Sequence, residues 1–224
     1  MSVIGSALPF FFGSGARLVL PAIGASFQGG FFAGTISHTA NGVATHALIV
    51  APAATGATGT GYTLTTNKQW KTTNTTTAGT TSTYDGAANT AAMVTAGIAD
   101  HPAAEFCTGL SIGGYTDWYL PARDELEIAY YNLKPTTDSN NTSYGINAYS
   151  VPARGSNYTA GTPAQTTVTA FQTGNSEAFV ADSHWSSTED SSTYAWRLSF
   201  LNGGQGNLSK NYNNRVRAFR KLAL

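Results

Sequence analysis

Within SHWSSTEDSSTYAWRLSFLNGG, residues 183–204, a histidine precedes two acids: His184, Glu189 and Asp190. Such a set could hold a metal. The spacing matches no zinc pattern, however, and the four histidines lie far apart in the chain. A satisfied or exposed histidine is the expectation, and no metal or cofactor is assigned. Asp124, Glu125 and Glu127 could supply the paired carboxylates of a hydrolase. At a helix start they read more simply as surface charges favoured by the helix dipole. Serine is abundant enough to assemble a Ser-His-Asp set from almost anywhere, and no G-x-S-x-G focuses the search. Cys107 is the single cysteine, so no internal disulfide forms; it reads as a small buried hydrophobe. The chain is not expected to be an enzyme.

Binding chemistry is better represented. Residues 205–214 are rich in Asn and Tyr, a composition that offers contact area at low entropic cost and adaptable hydrogen bonds. Arg215 and Arg217 could read an acidic ligand, but pairing with Glu189, Asp190 or Asp117 is the simpler expectation. Trp185 and Trp196 are read as core. Each would bury roughly 200 Å², worth several kcal/mol at about 25 cal/mol per Å². The hydroxyls of WSSTED are expected to bond backbone in ordered loops.

The elements that must position these residues follow from pattern and composition. Of 224 residues, 42% are hydrophobic and only 11% charged, with 12 basic and 12 acidic side chains. A core can form, and the neutral balance gives no nucleic-acid signature. Charge is unevenly placed: before Asp85 stand only Arg17, Lys68 and Lys71, while Lys210, Arg215, Arg217, Arg220 and Lys221 crowd the end. Residues 1–27 read as an apolar anchoring arm. It is too broken by Pro9, Gly13, Gly15 and Arg17 for a bilayer span, and it lacks the basic start of a signal peptide. Phe10, Phe11 and Phe12 would face both sides of a strand, so burial against another subunit is expected.

Residues 28–84 read as β-rich, with strands in GGFFAGTIS and THALIVAP and a Thr/Gly tract around Tyr62 and Trp70. Residues 85–224 begin with helices in NTAAMVTAGI and HPAAEFCTGL, the latter with Pro102 in its first turn. A helix near Pro121 carries Leu126, Ala129, Tyr130 and Leu133 at helical spacing. Residues 134–182 look irregular. YAWRLSF places Tyr194, Trp196, Leu198 and Phe200 on one strand face, LNGGQGNL turns, and NRVRAFRKLAL closes. One apolar face per strand predicts a sheet covered on one side.

GGYTDWYLPARDEL, WSST, AWRLSFLNGG and RVRAFR, in that order over residues 113–221, resemble the Lcl C-terminal domain family. That resemblance implies a C-type-lectin-like fold, related to the formylglycine-generating enzyme. The enzyme's chemistry needs two cysteines and this chain has one; calcium-lectin tracts such as E-P-N, Q-P-D and W-N-D are absent. A wider similarity to virion proteins of tailed phages implies a host-attachment role. Similarity to retroelement-diversified proteins implies a rigid frame, clamped by Trp118, Trp185, Trp196, Phe200, Arg215 and Arg217. That frame would display Ser191, Ser192, Thr193, Tyr194, Asn202, Gln205, Asn207, Asn211, Tyr212, Asn213 and Asn214 as ligand-binding positions. The expected fold class is therefore α+β, a C-type-lectin-like domain with an N-terminal apolar β-rich arm. The expected role is a phage tail-fibre, tip or capsid-surface adhesin, located in the virion. It would form a homotrimer, bind other virion proteins through residues 1–27, and bind a host-surface glycan or protein without membrane insertion. A capsid decoration or cement protein is the alternative, and a glycan-acting hydrolase the second.

Overall fold

The computed structural model describes residues 18–59 and 66–224. The Phe10–Phe12 run and Tyr62 lie outside them. The fold is α+β. A short strand β1 (Ser26–Phe27) turns at Gln28–Gly29 into β2 (Gly30–Ile36), which pairs antiparallel with β3 (His46–Val50). The short helix α1 (Ala53–Gly56) and strand β4 (Lys68–Gln69) follow. Helices α2 (Gly86–Gly97) and α3 (Pro102–Thr108) match the alanine-rich stretches, α2 capped by Asp85 and α3 opened by Pro102. Helix α4 (Arg123–Leu133) starts after Pro121 as its periodicity predicts. From 134 to 182 only β5 (Ser150–Val151) and a single turn of 3₁₀ helix are regular. Strands β6 (Ser183–Glu189), β7 (Tyr194–Ser199), β8 (Gln205–Ser209), β9 (Asn213–Asn214) and β10 (Phe219–Ala223) complete the chain.

These strands form three sheets. The largest runs β1-β2-β3-β10 with β5 also on β2, β4 pairs β9, and β6-β7-β8 is an antiparallel set of three. The largest sheet thus joins strands from residues 28–84 to the closing strand. No described helix is long and apolar enough to cross a membrane.

The expectation of one covered face per strand fails in the middle of the molecule. Along β3, Leu48 and Val50 enter one core cluster with Leu126, Tyr130, Phe171, Phe200 and Phe219. Ile49 and Ala51 enter a second cluster with Trp70, Met93, Cys107, Trp118, Trp185 and Val216. Successive side chains point to opposite sides of a strand. A strand sandwiched between two cores is therefore apolar on both faces, which is what ALIV records after the half-buried His46. The closing segment divides the same way, with Val216 and Ala218 on the second core and Phe219 on the first. Arg217 is buried as well, so this segment has no solvated face.

Helix α4 lies against β2, and Gly34 permits the close approach. A Cβ there would stand 2.6 Å from Asn132 Nδ2 and 2.8 Å from Ile128 Cγ2, and its φ of +138° already favours glycine. Asn132 donates to the Ala33 carbonyl at 2.7 Å, tying helix to strand. The three acids of α4 are not surface charges. Asp124, Glu125 and Glu127 are all buried, because the helix start is roofed by the β6 region and by the loop 147–158.

Candidate recognition face on the three-stranded sheet

Strand β7 sits between β6 and β8, with Tyr194 opposite Ser209, Trp196 opposite Asn207 and Leu198 opposite Gln205. Directly opposed residues share a face. Tyr194, Trp196, Gln205, Asn207 and Ser209 therefore lie on one side, and Ala195 packs into the second core on the other. Tyr194 and Asn207 are exposed and Gln205 half-buried. Three of the expected ligand-binding residues are thus brought together.

Trp196 is not the core residue its type predicts. It is half-buried, and the Arg123 guanidinium stacks over its ring at 5.0 Å from the centroid. The two side chains line a cleft of about 300 Å³ together with Tyr144, Ile146, Asn157 and Gln205. Arg123, Tyr144 and Asn157 carry no sequence signal for this role. Two of them come from the irregular 134–182 stretch, whose path depends on tertiary contacts. By contrast Trp118, Trp185 and Phe200 are buried as expected. Trp118 Nε1 donates to the Tyr115 carbonyl at 3.1 Å and Trp185 Nε1 to the Lys68 carbonyl at 2.8 Å, while Phe200 stacks on Phe179 at 3.8 Å.

The loop joining β6 to β7 is a tight, self-bonded turn. The backbone N–H groups of Asp190 and Ser191 donate to the Tyr194 carbonyl, and Ser191 Oγ accepts from Thr193 and Tyr194 N–H. Ser191 and Ser192 are exposed and Thr193 half-buried. Beneath the turn lies Lys210, fully buried. Its ammonium pairs with Glu189, donates to the carbonyls of Ser192 at 3.0 Å and Thr75 at 2.9 Å, and stands 4.8 Å over the Trp70 ring. Burial lowers the lysine's proton affinity, against the pull of Glu189. The Glu189 carboxylate also accepts from Thr77 N–H and Thr80 Oγ1. One buried ion pair thus fastens the 190–193 turn and the Thr-rich 71–80 loop to the same frame.

The remaining expected positions are spread along the chain that follows. Asn202 caps the β7–β8 turn, its Oδ1 accepting from Gly204 N–H at 3.0 Å. Asn211 and Tyr212 are exposed on the turn beyond β8 and Asn213 at the start of β9, and Gln69 Nε2 donates to the Asn211 carbonyl at 2.7 Å. Asn214 is buried, its Oδ1 bonded to Arg215 N–H, so it is not displayed.

Arg215 and Arg217 are buried and ion-paired, as their composition suggests, but with other acids. Arg215 pairs with Asp182, and Arg217 Nη2 with Glu177 at 3.1 Å. Asp117 takes Arg220 instead, in a two-pronged contact of 2.7 and 3.0 Å. The sequence expectation named Glu189, Asp190 or Asp117. The irregular 134–182 stretch folds back and delivers two acids that no local pattern announces. Arg217 also donates Nε to the Ala51 carbonyl at 2.6 Å, and burial lowers its pKa to about 10.

The groups that raised catalytic or metal chemistry are consumed structurally. His184 is buried, with Nδ1 3.1 Å from the Asp182 carbonyl, and burial lowers its pKa to about 3. Among the described residues no cluster of His, Cys, Asp or Glu is placed to hold a metal. Glu125 accepts from Ala122 and Gly86 N–H and from the Tyr119 hydroxyl, and burial raises its pKa to about 7. Glu127 pairs with Arg154 and accepts from Asn147 and Tyr158. Cys107 is buried, and desolvation pushes its thiol up.

No curated protein matches the chain. The model of the Lcl C-terminal domain family matches residues 59–220, which takes in α2 to α4, the WSST strand, the β7–β8 face and the buried arginines. That span exceeds half of the chain, and it begins well before the 113–221 stretch in which the sequence motifs lie. The chain belongs to the Lcl C-terminal domain family.

Proposed function

We propose that this chain is a surface protein of a phage virion, at a tail fibre, tip or capsid surface. It binds a host-surface glycan or protein through the β7–β8 face and the turns beside it. The family is associated with phage-related proteins, which supports the setting. One observation carries the mechanism. Tyr194, Asn207, Tyr212 and their exposed neighbours stand on a frame fastened by buried ion pairs, Lys210–Glu189 foremost and Arg217–Glu177 with it. A frame fastened in that way pays little entropy when the face meets a ligand. Tyrosines with amides and hydroxyls around them suit non-covalent recognition of a polar partner. Binding is the whole of the activity in this reading. The cleft beside Trp196 adds a concave subsite to an otherwise open face.

Adsorption of particles carrying Tyr194→Ala with Tyr212→Ala to host cells tests the reading. Truncating two exposed aromatic anchors is expected to weaken attachment by about tenfold or more, since hot-spot residues contribute about 1–2 kcal/mol or more each. Particle assembly and the thermal stability of the chain should not change. Unaltered adsorption removes the adhesin reading and favours a capsid decoration protein.

A further inference from the structure

The two edges of the β6-β7-β8 sheet are treated differently. The outer edge of β6 is covered: Trp185 N–H donates to the Arg215 carbonyl at 2.8 Å, Ser187 N–H to that of Pro121 at 2.7 Å and Glu189 N–H to that of Thr80 at 2.7 Å. The outer edge of β8 is open. Ser199 N–H donates to the Gly204 carbonyl at one end of the β7–β8 ladder, and Lys210 N–H to the Thr193 carbonyl at the other. Hydrogen-bonded pairs alternate along an antiparallel ladder, so Gly206 and Leu208 turn their backbone groups to β7, and Gln205 and Asn207 turn theirs outward. Among the described residues nothing bonds the N–H or the carbonyl of Gln205 or Asn207. The open run ends at Ser209, whose carbonyl accepts from Tyr212 N–H at 3.0 Å. Exposed edges normally carry a charge, a proline or a bulge against strand pairing. QGNLS has no charge and no proline, and its register with β7 is unbroken. A Cβ at Gly206 would meet nothing within 4 Å, so the face away from Trp196 is also clear at the middle of the edge.

We infer that β8 accepts an extended polypeptide as a further antiparallel strand, with one acidic side chain of that strand entering the cleft beside Trp196. The inference rests on the recognition reading above and narrows the partner from a glycan or protein to a protein. The free backbone groups of Gln205 and Asn207 supply a ladder that holds any extended chain, and alternate side chains then supply specificity. Partner residues opposite Gln205 and Asn207 would lie on the face of Tyr194 and Trp196. Gln205 itself lines the cleft of about 300 Å³, so the side chain opposite it stands at the cleft mouth. Inside, Arg123 is held from one side: its Nε donates to Asp124 at 3.3 Å and its plane lies over the Trp196 ring. Its two Nη nitrogens have no hydrogen-bond partner among the described residues. No Asp or Glu lines the cleft. A carboxylate on the partner strand matches that free guanidinium edge in the two-pronged geometry arginine favours. A second copy of this chain fits less well. Its β8, laid against this one, would bring only Gln205, Asn207 and Ser209 to this face, none of them acidic, and would leave Arg123 unmatched. A sugar in the cleft would leave the strand edge unpaired.

Amide hydrogen exchange on the full chain, followed by peptide titration, tests it. In the free chain the Gly206 and Leu208 amides are expected to be protected, and those of Gln205 and Asn207 to exchange freely. The probe is a capped peptide alternating threonine and valine around a central glutamate, titrated to millimolar concentration. It should slow exchange at Gln205 and Asn207. N-methylating alternate residues of the probe should weaken binding by about tenfold or more in the phase that faces β8, and leave it unchanged in the other. Asn207→Pro removes one outward N–H at a position where an edge strand tolerates proline, and should weaken binding of the unmodified probe. Near-ultraviolet circular dichroism of the buried tryptophans reports whether that variant is folded. A central glutamine in place of the glutamate should bind about threefold or more weaker, and the difference should vanish in Arg123→Gln. Protected Gln205 and Asn207 amides in the free chain, no binding of the probe, or equal binding after N-methylation in either phase overturns the inference. So does a folded Asn207→Pro chain of unchanged affinity, or equal affinity for the glutamate and glutamine probes. Binding of chitotetraose without binding of the peptide also overturns it, and assigns the cleft to a glycan. Loss of adsorption in Tyr194→Ala with Tyr212→Ala, when no probe binds, removes strand addition alone. Unaltered adsorption of those particles, when the probe binds, removes the adhesin reading alone.

Discussion

Two identical Ser-Ser-Thr triplets stand five residues apart and meet opposite fates. Ser186, Ser187 and Thr188 are completely buried, while Ser191 and Ser192 are exposed and Thr193 half-buried. The difference lies in register. Between Trp185 and Glu189, three residues of β6 face the single residue Trp196 of β7. The bulged strand turns its backbone outward, Ser187 N–H donating to the Pro121 carbonyl and Glu189 N–H to that of Thr80. Its side chains bridge elements: Ser186 Oγ donates to the Trp196 carbonyl, Ser187 Oγ accepts from Asn89, and Thr188 Oγ1 donates to the Ser82 carbonyl while accepting from Arg123 N–H. The side chain of Ser191 bonds only within its own turn, to Thr193 and Tyr194 N–H, while Lys210 holds the Ser192 and Thr193 carbonyls from beneath and the outer surface is left to solvent. Hydroxyls in this molecule are mortar where the strand bulges inward and display where it turns.

The largest effect on this contrast comes from the ion pair that separates the two triplets. Lys210→Met is expected to cost about 3–5 kcal/mol, because it strands the Glu189 carboxylate in a buried site. Urea unfolding checks this, and a loss below about 1 kcal/mol would mean that the clamp is dispensable. Next comes acid. His184 lies at the base of the buried strand. Unfolded, its imidazole takes a proton near pH 6.5; folded, only near 3. Between those values the unfolded chain binds more protons, so the stability due to neutral His184 is full above 6.5 and is lost as the pH falls toward 3, by several kcal/mol. Glu125 acts in the other direction: its carboxyl is raised from 4.5 to about 7, so its contribution to the folded state is full below about 4.5 and is lost as the pH rises to about 7. Comparing wild type with His184→Phe through a pH series isolates the first effect, and the wild type should lose stability relative to the variant as the pH falls below 6.5. The smallest effects form a matched pair. Thr188→Val should cost about 1–3 kcal/mol by orphaning a buried N–H and a carbonyl. Ser192→Ala should stay within about 0.5 kcal/mol. Equal losses at the two positions would erase the distinction.

Local pattern made much of this visible in advance. The β2 and β3 strands, α2 to α4 and the β7–β8 hairpin follow from periodicity, capping and turn residues, each of which acts within a few positions. The ordered motifs of residues 113–221 pointed to the right family. What escaped lies between elements. Trp196 was read as core by its type, yet Arg123 from α4 and Asn157 from a distant loop make it the wall of a cleft. The acids of α4 were read as surface by their place in a first turn, yet each is roofed and bonded. The partners of Arg215 and Arg217 come from a stretch with no regular structure.

By itself the sequence determined the α+β class, the order of its main elements, the family, and the absence of charge from residue 18 to residue 67. Those properties rest on short-range periodicity and on composition, which a linear string carries in full. Only the tertiary structure decided which hydroxyls are buried, which acid meets which arginine, and where Tyr194, Gln205 and Asn207 gather on one face. Burial and pairing depend on which segments approach in space, and segments more than a hundred residues apart approach one another for reasons that neither of them carries alone.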